Sequence, residues 1–222
     1  VSTYVENPLD IHHQKPNHDY VSERVCLIND LESIKNEDEL MNQFESVRRR
    51  NVRKAIKENI IVTIDNSDNA VDFLYRVHNE NMSAIGAKVK SKVFFQSIKK
   101  YFIENKDFNI YIAKYNDEPI GALLVFYFNN IVEYYTPVIV EEFRNKQPLA
   151  LLIKESMKDS IDKEFLYYNW GGNGLGLSSV YDFKKKWGAE DYKYNYYIKV
   201  NNKNILYSNA EELSKYYDNF FV

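Results

Sequence analysis

At Phe108 the apolar residues change their spacing, and that change restricts the architecture more than any other feature of the chain. Upstream they recur at three and four residues, as in Val71, Leu74, Tyr75, His78 and Met82, or Phe94, Phe95, Ile98 and Phe102, which is the period of helices. Downstream come the runs FNIYIAK, IGALLVFYF and IVEYYTPVI, separated by YNDEP and NN. Runs rich in β-branched and aromatic residues, joined by Asn-Asp and Asn-Asn, predict a three-stranded antiparallel meander. Pro148 then stands where a first helical residue is favoured, and the helix runs to about Lys163. FLYYNW reads as a strand, Leu177 to Trp187 as a helix and YKYNYYIKV as a strand. The order β-β-β-α-β-α-β predicts an α+β fold, a mixed central sheet flanked by helices.

The earlier half supplies helices around that sheet. Residues 1–20 lack periodicity and read as an extended lead-in; His12, His13 and His18 lie there without a carboxylate or cysteine set at ligand spacing, so no metal site is expected. RVCLIN is a strand, and Asn36 followed by Glu39 predicts a helix start with a reciprocal cap. That helix carries Leu40, Phe44 and Val47, breaks near Asn51 and continues to about Asn59. Five positive charges fall within Arg48–Lys54, a run that ordinarily marks a solvated face. Ile60–Ile64 is a strand, Asp68 and Ser91 are helix caps, and a short helix is expected from Asn209. His78 belongs to a helix stripe and reads as a half-buried structural residue. The expected organisation is an N-terminal part over 1–58 and a main domain over 59–222.

Four of the seven glycines fall in one run, YNWGGNGLG, residues 168–176. A strand that turns at once into a helix needs positive φ and close backbone approach, which glycine supplies cheaply. Gly171, Gly172 and Gly174 then let backbone N–H groups face a ligand at a helix N-terminus; the plain alternative is a flexible turn without a ligand. There is no Walker lysine-serine ending and no GxGxxG, so nucleotide-binding folds are set aside.

Basic and acidic residues number 29 and 32, so no whole-protein field draws the chain to DNA or anionic lipid, and any anion binding is local. No apolar run is long enough for a transmembrane span, and no signal peptide is expected. The single cysteine, Cys26, cannot form an internal disulfide and suits a reducing compartment. A soluble, cytoplasmic protein is expected.

Three stretches resemble a known family: RRRNVRKAIKENIIV, YIAKYNDEPIGALLVFYFNNIVEYYTPV and, most specifically, YYNWGGNGLGLSSVYDFKKKWGA. Together they resemble the Fem-type branch of the acetyltransferase (GNAT) superfamily, with most of the first of its two lobes absent. The resemblance implies the GNAT acyl-CoA N-acyltransferase fold, in which two adjacent parallel strands splay apart and leave unpaired backbone groups as a binding device. Here the splay is expected between VEYYTPVI and FLYYN, lined by Tyr134, Tyr135, Tyr168, Asn169 and Trp170. Lys184 directly follows Phe183 and matches the family's Phe-Lys position, which implies a role in substrate binding or transition-state stabilisation. Lys185 and Lys186 point elsewhere around the helix.

The run RNKQPLA, where acetyl-CoA-binding members cradle pyrophosphate on glycine amides, has no glycine; Arg144 and Lys146 remain as anion contacts, with Arg49 and Arg53 as weaker ones. The implied function is transfer of an acyl or aminoacyl group to an amino group of a cell-envelope glycan or peptidoglycan precursor, small or lipid-linked. The donor is aminoacyl-tRNA or an acyl-CoA, with no tightly bound cofactor. Tyr168, Asn169 and Lys184 are the expected catalytic residues. Two alternatives stand beside this: an acetyl-CoA-dependent amino-sugar N-acetyltransferase of polysaccharide biosynthesis, and a non-catalytic lobe that binds glycan or a partner protein.

Overall fold

A computed structural model describes residues 1–10, 15–173 and 179–207. In chain order the elements are β1 (Ser2–Val5), β2 (Tyr20–Asp30), α1 (Glu37–Gln43), α2 (Ser46–Lys57), β3 (Ile61–Ile64), α3 (Asp68–Ala84), α4 (Lys92–Tyr101), β4 (Phe108–Tyr115), β5 (Glu118–Phe128) and β6 (Ile131–Ile139). A 3-10 turn (Glu141–Lys146) leads into α5 (Pro148–Asp162), β7 (Tyr167–Asn173), α6 (Ser179–Lys185), β8 (Glu190–Lys199) and a last 3-10 turn (Lys203–Tyr207). The chain divides into two compact units. The larger takes residues 27–172 and the segment ending at Asp191, and the smaller takes residues 1–26 and the chain from Tyr192 onward. No helix among the described residues is long and apolar enough to cross a membrane.

In the smaller unit the strands run in the order β1-β8-β2. Ser2–Val5, read from sequence as part of a loop, pairs antiparallel with β8, Ser2 opposite Lys199 and Val5 opposite Tyr196. What holds it lies far along the chain: the buried Glu6 carboxylate accepts from the Asn195 backbone at 2.7 Å and from the Tyr197 hydroxyl at 3.2 Å. The β1 sequence, Ser-Thr-Tyr-Val, does not alternate apolar with polar residues, and all four positions are exposed, so no periodicity marked it.

In the larger unit the order is β2-β7-β6-β5-β4-β3, antiparallel from β3 to β6 and parallel between β6 and β7. Helices cover both faces. Tyr111, Ala113, Leu123 and Val125 pack with Leu40, Phe44, Val52, Leu152 and Met157 from α1, α2 and α5, with Phe44 at the C-terminal end of α1. Ile110, Ile112, Ala122 and Leu124 pack on the other side with Leu74, Val77, Phe95 and Ile98 from α3 and α4. Burial on both faces is why β4 and β5 read as continuous apolar runs rather than alternating ones. The predicted turns are in place, with Asn116, Asp117 and Asn129 all at positive φ.

Three local expectations are corrected. The helical break falls at Phe44–Glu45, not near Asn51, because Phe44 is buried against Trp187 and the Glu45 N–H bonds Lys186 O at 3.0 Å. Ser67, not Asp68, caps α3, accepting from Ala70 N–H, which frees Asp68 to pair with Lys99 at 2.7 Å. Glu39 reaches back to the Lys35 amide at 2.8 Å, one residue before the amide expected. The helix expected from Asn209 lies outside the described residues, as do His12 and His13.

Candidate active site

The parallel ladder between β6 and β7 is short. Ile131 pairs with Tyr167, Val132 with Tyr168 and Glu133 with Asn169, and beyond that rung the described residues of the two strands do not pair. Each strand has a local reason to turn away at this point. On β6, Val125 of β5 faces Tyr134 and Leu124 faces Thr136, so Tyr135 is an extra residue, a bulge that bends the strand. On β7, the Asn169 side chain accepts from the Gly171 N–H at 2.9 Å, and Gly171 takes φ +77°. An Asx turn leading into a left-handed residue redirects the chain within two positions.

Glu133 occupies the vertex of this fork. A Cβ built on Gly171 would lie 3.4 Å from Glu133 Oε1, in van der Waals contact, which places the carboxylate directly against this residue. The Lys184 ammonium reaches the same place, 3.5 Å from the Gly171 carbonyl oxygen, and Lys184 is buried. Burial pushes the Glu133 carboxyl up to about 7, and the Lys184 charge works against that rise. The fork therefore gathers a carboxyl group raised toward neutrality and a buried ammonium.

The seating of α6 delivers Lys184. Phe183 packs edge-on to Trp170 and Trp187, and the Arg48 guanidinium lies 4.3 Å from the Phe183 ring centroid. At the end of the helix Gly188 has φ +82°, and a Cβ there would meet the Gln43 carbonyl oxygen at 2.6 Å. Lys185 is drawn off to Asp191 at 3.2 Å.

The bulge sorts the aromatic residues onto different faces. Tyr134, Tyr168 and Trp170 belong to the core under α5: the Tyr168 hydroxyl is 2.8 Å from Ser156 Oγ, and Trp170 Nε1 donates to Asn29 Oδ1 at 2.7 Å. Burial pushes the Tyr134 and Tyr168 hydroxyls well above the ordinary phenol range. Tyr135 stands on the opposite face, partly exposed, two residues from Glu133. Gly171 and Gly172, expected to lead into a helix N-terminus, lie instead within β7, because the strand runs on to Asn173 and α6 begins only at Ser179; Gly172 is exposed, and Gly174 lies outside the described residues.

The predicted anion contacts are not gathered at the fork. Arg144 pairs with Glu141 at 2.8 Å and lines a recess of about 300 Å³ at the start of α5, with Asn81, Pro137 and Gln147. Lys146 is tied to Glu58 at 2.6 Å and lies over the Tyr115 ring. Arg49 donates to Phe44 O at 2.5 Å, and Arg53 is exposed. Sequence reasoning passed over Glu133 and Arg48. The signal for Glu133 was present: an acid set between Val132 and Tyr134 inside an otherwise apolar strand.

The profile described as "Acetyltransferase (GNAT) domain" matches residues 43–194. The chain belongs to this acetyltransferase family. No curated relative matches the sequence. Among solved structures the GNAT chain is similar in fold to FemX (15% identity, TM-score 0.69, covering 88% of this chain and 64% of that one). It is likewise similar to L-PGS from Bacillus licheniformis (13% identity, TM-score 0.60, covering 84% and 64%). It thus spans just under two thirds of the length of these structures. In GNAT terms, β6 and β7 are the splayed pair expected from the resemblance, and they part as expected.

Proposed function

We propose that this GNAT chain catalyses a Fem-type N-acyl transfer, moving an acyl or aminoacyl group to an amino group of a cell-envelope glycan or peptidoglycan precursor. The observation that carries the proposal is the fork itself, where the strand pair opens with Glu133 and Lys184 at its vertex. The acceptor nitrogen attacks the acyl carbon and a C–N bond forms. Glu133 takes the proton that the amine loses, and the Lys184 ammonium stabilises the charge on the carbonyl oxygen. The bond to the leaving group, an ester oxygen or a thioester sulfur, then breaks, and the proton held by Glu133 passes to that atom, which returns the carboxylate to its starting state. Backbone groups of β6 just beyond Glu133 serve as donors to the acyl group, short of Ile139, whose N–H and C=O are taken by the Asn81 side chain. Tyr168, proposed from sequence as catalytic, acts in this reading through Ser156 and the packing of β7. Asn169 acts by setting the turn at Gly171.

The resemblance of the sequence to the Fem-type branch supports an aminoacyl donor, while the recess beside Arg144 at the start of α5 supports an acyl-CoA, and the two donors are separable. The chain is incubated with amino-sugar and peptide-amine acceptors plus either charged tRNA or acyl-CoA, and products are read by mass spectrometry and thiol release. Transfer that falls steeply with salt identifies tRNA, because its phosphates release counterions on binding. Glu133→Gln and Lys184→Ala are each expected to abolish transfer while the far-ultraviolet circular dichroism stays unchanged. Full turnover by either variant removes that residue from the mechanism, and absence of transfer from both donors favours a non-catalytic binding lobe.

A further inference from the structure

A second cation sits on the same face of β6 as Glu133, with no carboxylate to answer it. The Lys90 ammonium donates to Thr136 Oγ1 at 3.1 Å and lies 4.4 Å from the Tyr135 ring centroid and 5.8 Å from that of Phe94. Among the described residues no acidic side chain pairs with it. An ammonium has three protons to donate, and the one hydroxyl accepts only one of them. Burial lowers its pKa, and nothing nearby raises it again. A half-buried charge costs stability, and here one hydroxyl and two ring faces are what offset it.

The position of Lys90 is fixed. Its backbone N–H donates to His78 Nε2 at 3.2 Å, and burial together with the Lys90 charge keeps the His78 ring neutral and able to accept. The bulge at Tyr135 puts Tyr135 and Thr136 on one face, where Lys90 meets both.

From Lys90 an aromatic wall runs outward. Phe94 stacks on Tyr135 with centroids 6.1 Å apart, Tyr135 meets Phe126 edge-on at 5.0 Å, and Phe102 follows Phe126 at 5.1 Å. These rings line a groove of about 640 Å³ whose other lining includes the Asp107 carboxylate. Asp107 is occupied in accepting from Ile103 N–H at 2.8 Å. The groove is thus largely apolar with Asp107 in its lining, while the Lys90 ammonium stands outside the lining, against the Phe94 and Tyr135 rings that form part of it.

We propose that this groove is a subsite for a molecule with a flat or apolar body and one phosphate or carboxylate group, the body lying on the Phe94–Tyr135–Phe126 wall and the anion on Lys90. Charge complementarity sets the direction, with the anion toward Lys90 and away from Asp107. Tyr135 is two residues from Glu133 on one strand face, so the ligand is the acceptor of the transfer reaction; that last clause alone rests on the proposed function.

The test uses the full chain and three probes of one shape: 1-naphthyl phosphate, 1-naphthoate and neutral 1-naphthol, titrated by intrinsic fluorescence and calorimetry. At least one anion is expected to bind about tenfold tighter than naphthol, and whichever it is tells phosphate from carboxylate. Lys90→Met should erase that preference and leave naphthol binding unchanged, Lys90→Arg should keep it, and Tyr135→Ala should weaken all three. Glu133→Gln should stop transfer yet bind the anionic probes at least as well as the parent, so failure of the reaction mechanism and failure of the subsite give different results. Equal binding of naphthol and the anions, an unchanged preference in Lys90→Met, or no binding at millimolar probe overturns the subsite.

Discussion

A carboxyl group that loses its water when the chain folds holds its proton to a higher pH, and Glu133 does so to about 7. As the proton acceptor of the proposed reaction it must be ionised, so kcat/KM is expected to climb with pH to a plateau above about 7. Glu133→Gln should lower the plateau by about 10²- to 10⁴-fold and abolish that limb. Lys184→Met removes the cation that works against the rise, so any residual activity should show the limb moved to higher pH. A limb that stays in place would separate the two side chains. At this scale the sequence was uneven. Lys184 was legible because the Phe-Lys pair sits in a recognisable run, whereas the Tyr168 hydroxyl was assigned to the cleft and is bonded to Ser156 under α5. Which way a strand residue points depends on where bulges fall, and the bulge at Tyr135 is set by its pairing with β5, not by the residues of β6.

Among elements, two glycines with similar backbone angles should respond differently to substitution. Gly188→Ala would place a Cβ 2.6 Å from the Gln43 carbonyl oxygen in addition to its positive φ, and backbone cannot swing aside as a side chain does. A loss of about 2 kcal/mol or more is expected in urea denaturation. Gly171→Ala meets only ordinary contact with Glu133 Oε1 at 3.4 Å, so its cost is the left-handed conformation, about 1–2 kcal/mol. Because that Cβ touches the carboxylate, Gly171→Ala should lower turnover more than Gly188→Ala does, even though it unfolds less readily. The meander, the proline-led α5 and the Ser91 cap of α4 were plain from sequence, since each rests on residues within a few positions. β1 was not, because its partner strand lies at the other end of the chain.

For the molecule as a whole, stability carries the imprint of the fork. A carboxyl group whose pKa is raised by folding favours the folded state below its unfolded value near 4.5, and that contribution is lost as pH rises through about 7. Asp65 has the opposite sign, its pKa lowered by the Ser67 hydroxyl and backbone N–H, so its contribution is present at neutral pH and lost on acidification. Glu133→Gln is therefore expected to melt at a higher temperature than the parent at pH 8, with the gap closing as pH falls toward 4.5. A gap independent of pH would mean that the carboxylate is not the cause.

The amino-acid sequence by itself determined the order of helices and strands over most of the chain and the absence of any long apolar run, because periodicity, capping and turn chemistry act over a few residues. The tertiary structure alone decided that Glu133 and Lys184 both come to Gly171, that Tyr134 and Tyr135 face opposite sides, and that no described carboxylate pairs with Lys90. Those relations depend on strand register and on the seating of α6 against Trp170 and Trp187, which bring together residues far apart in the chain.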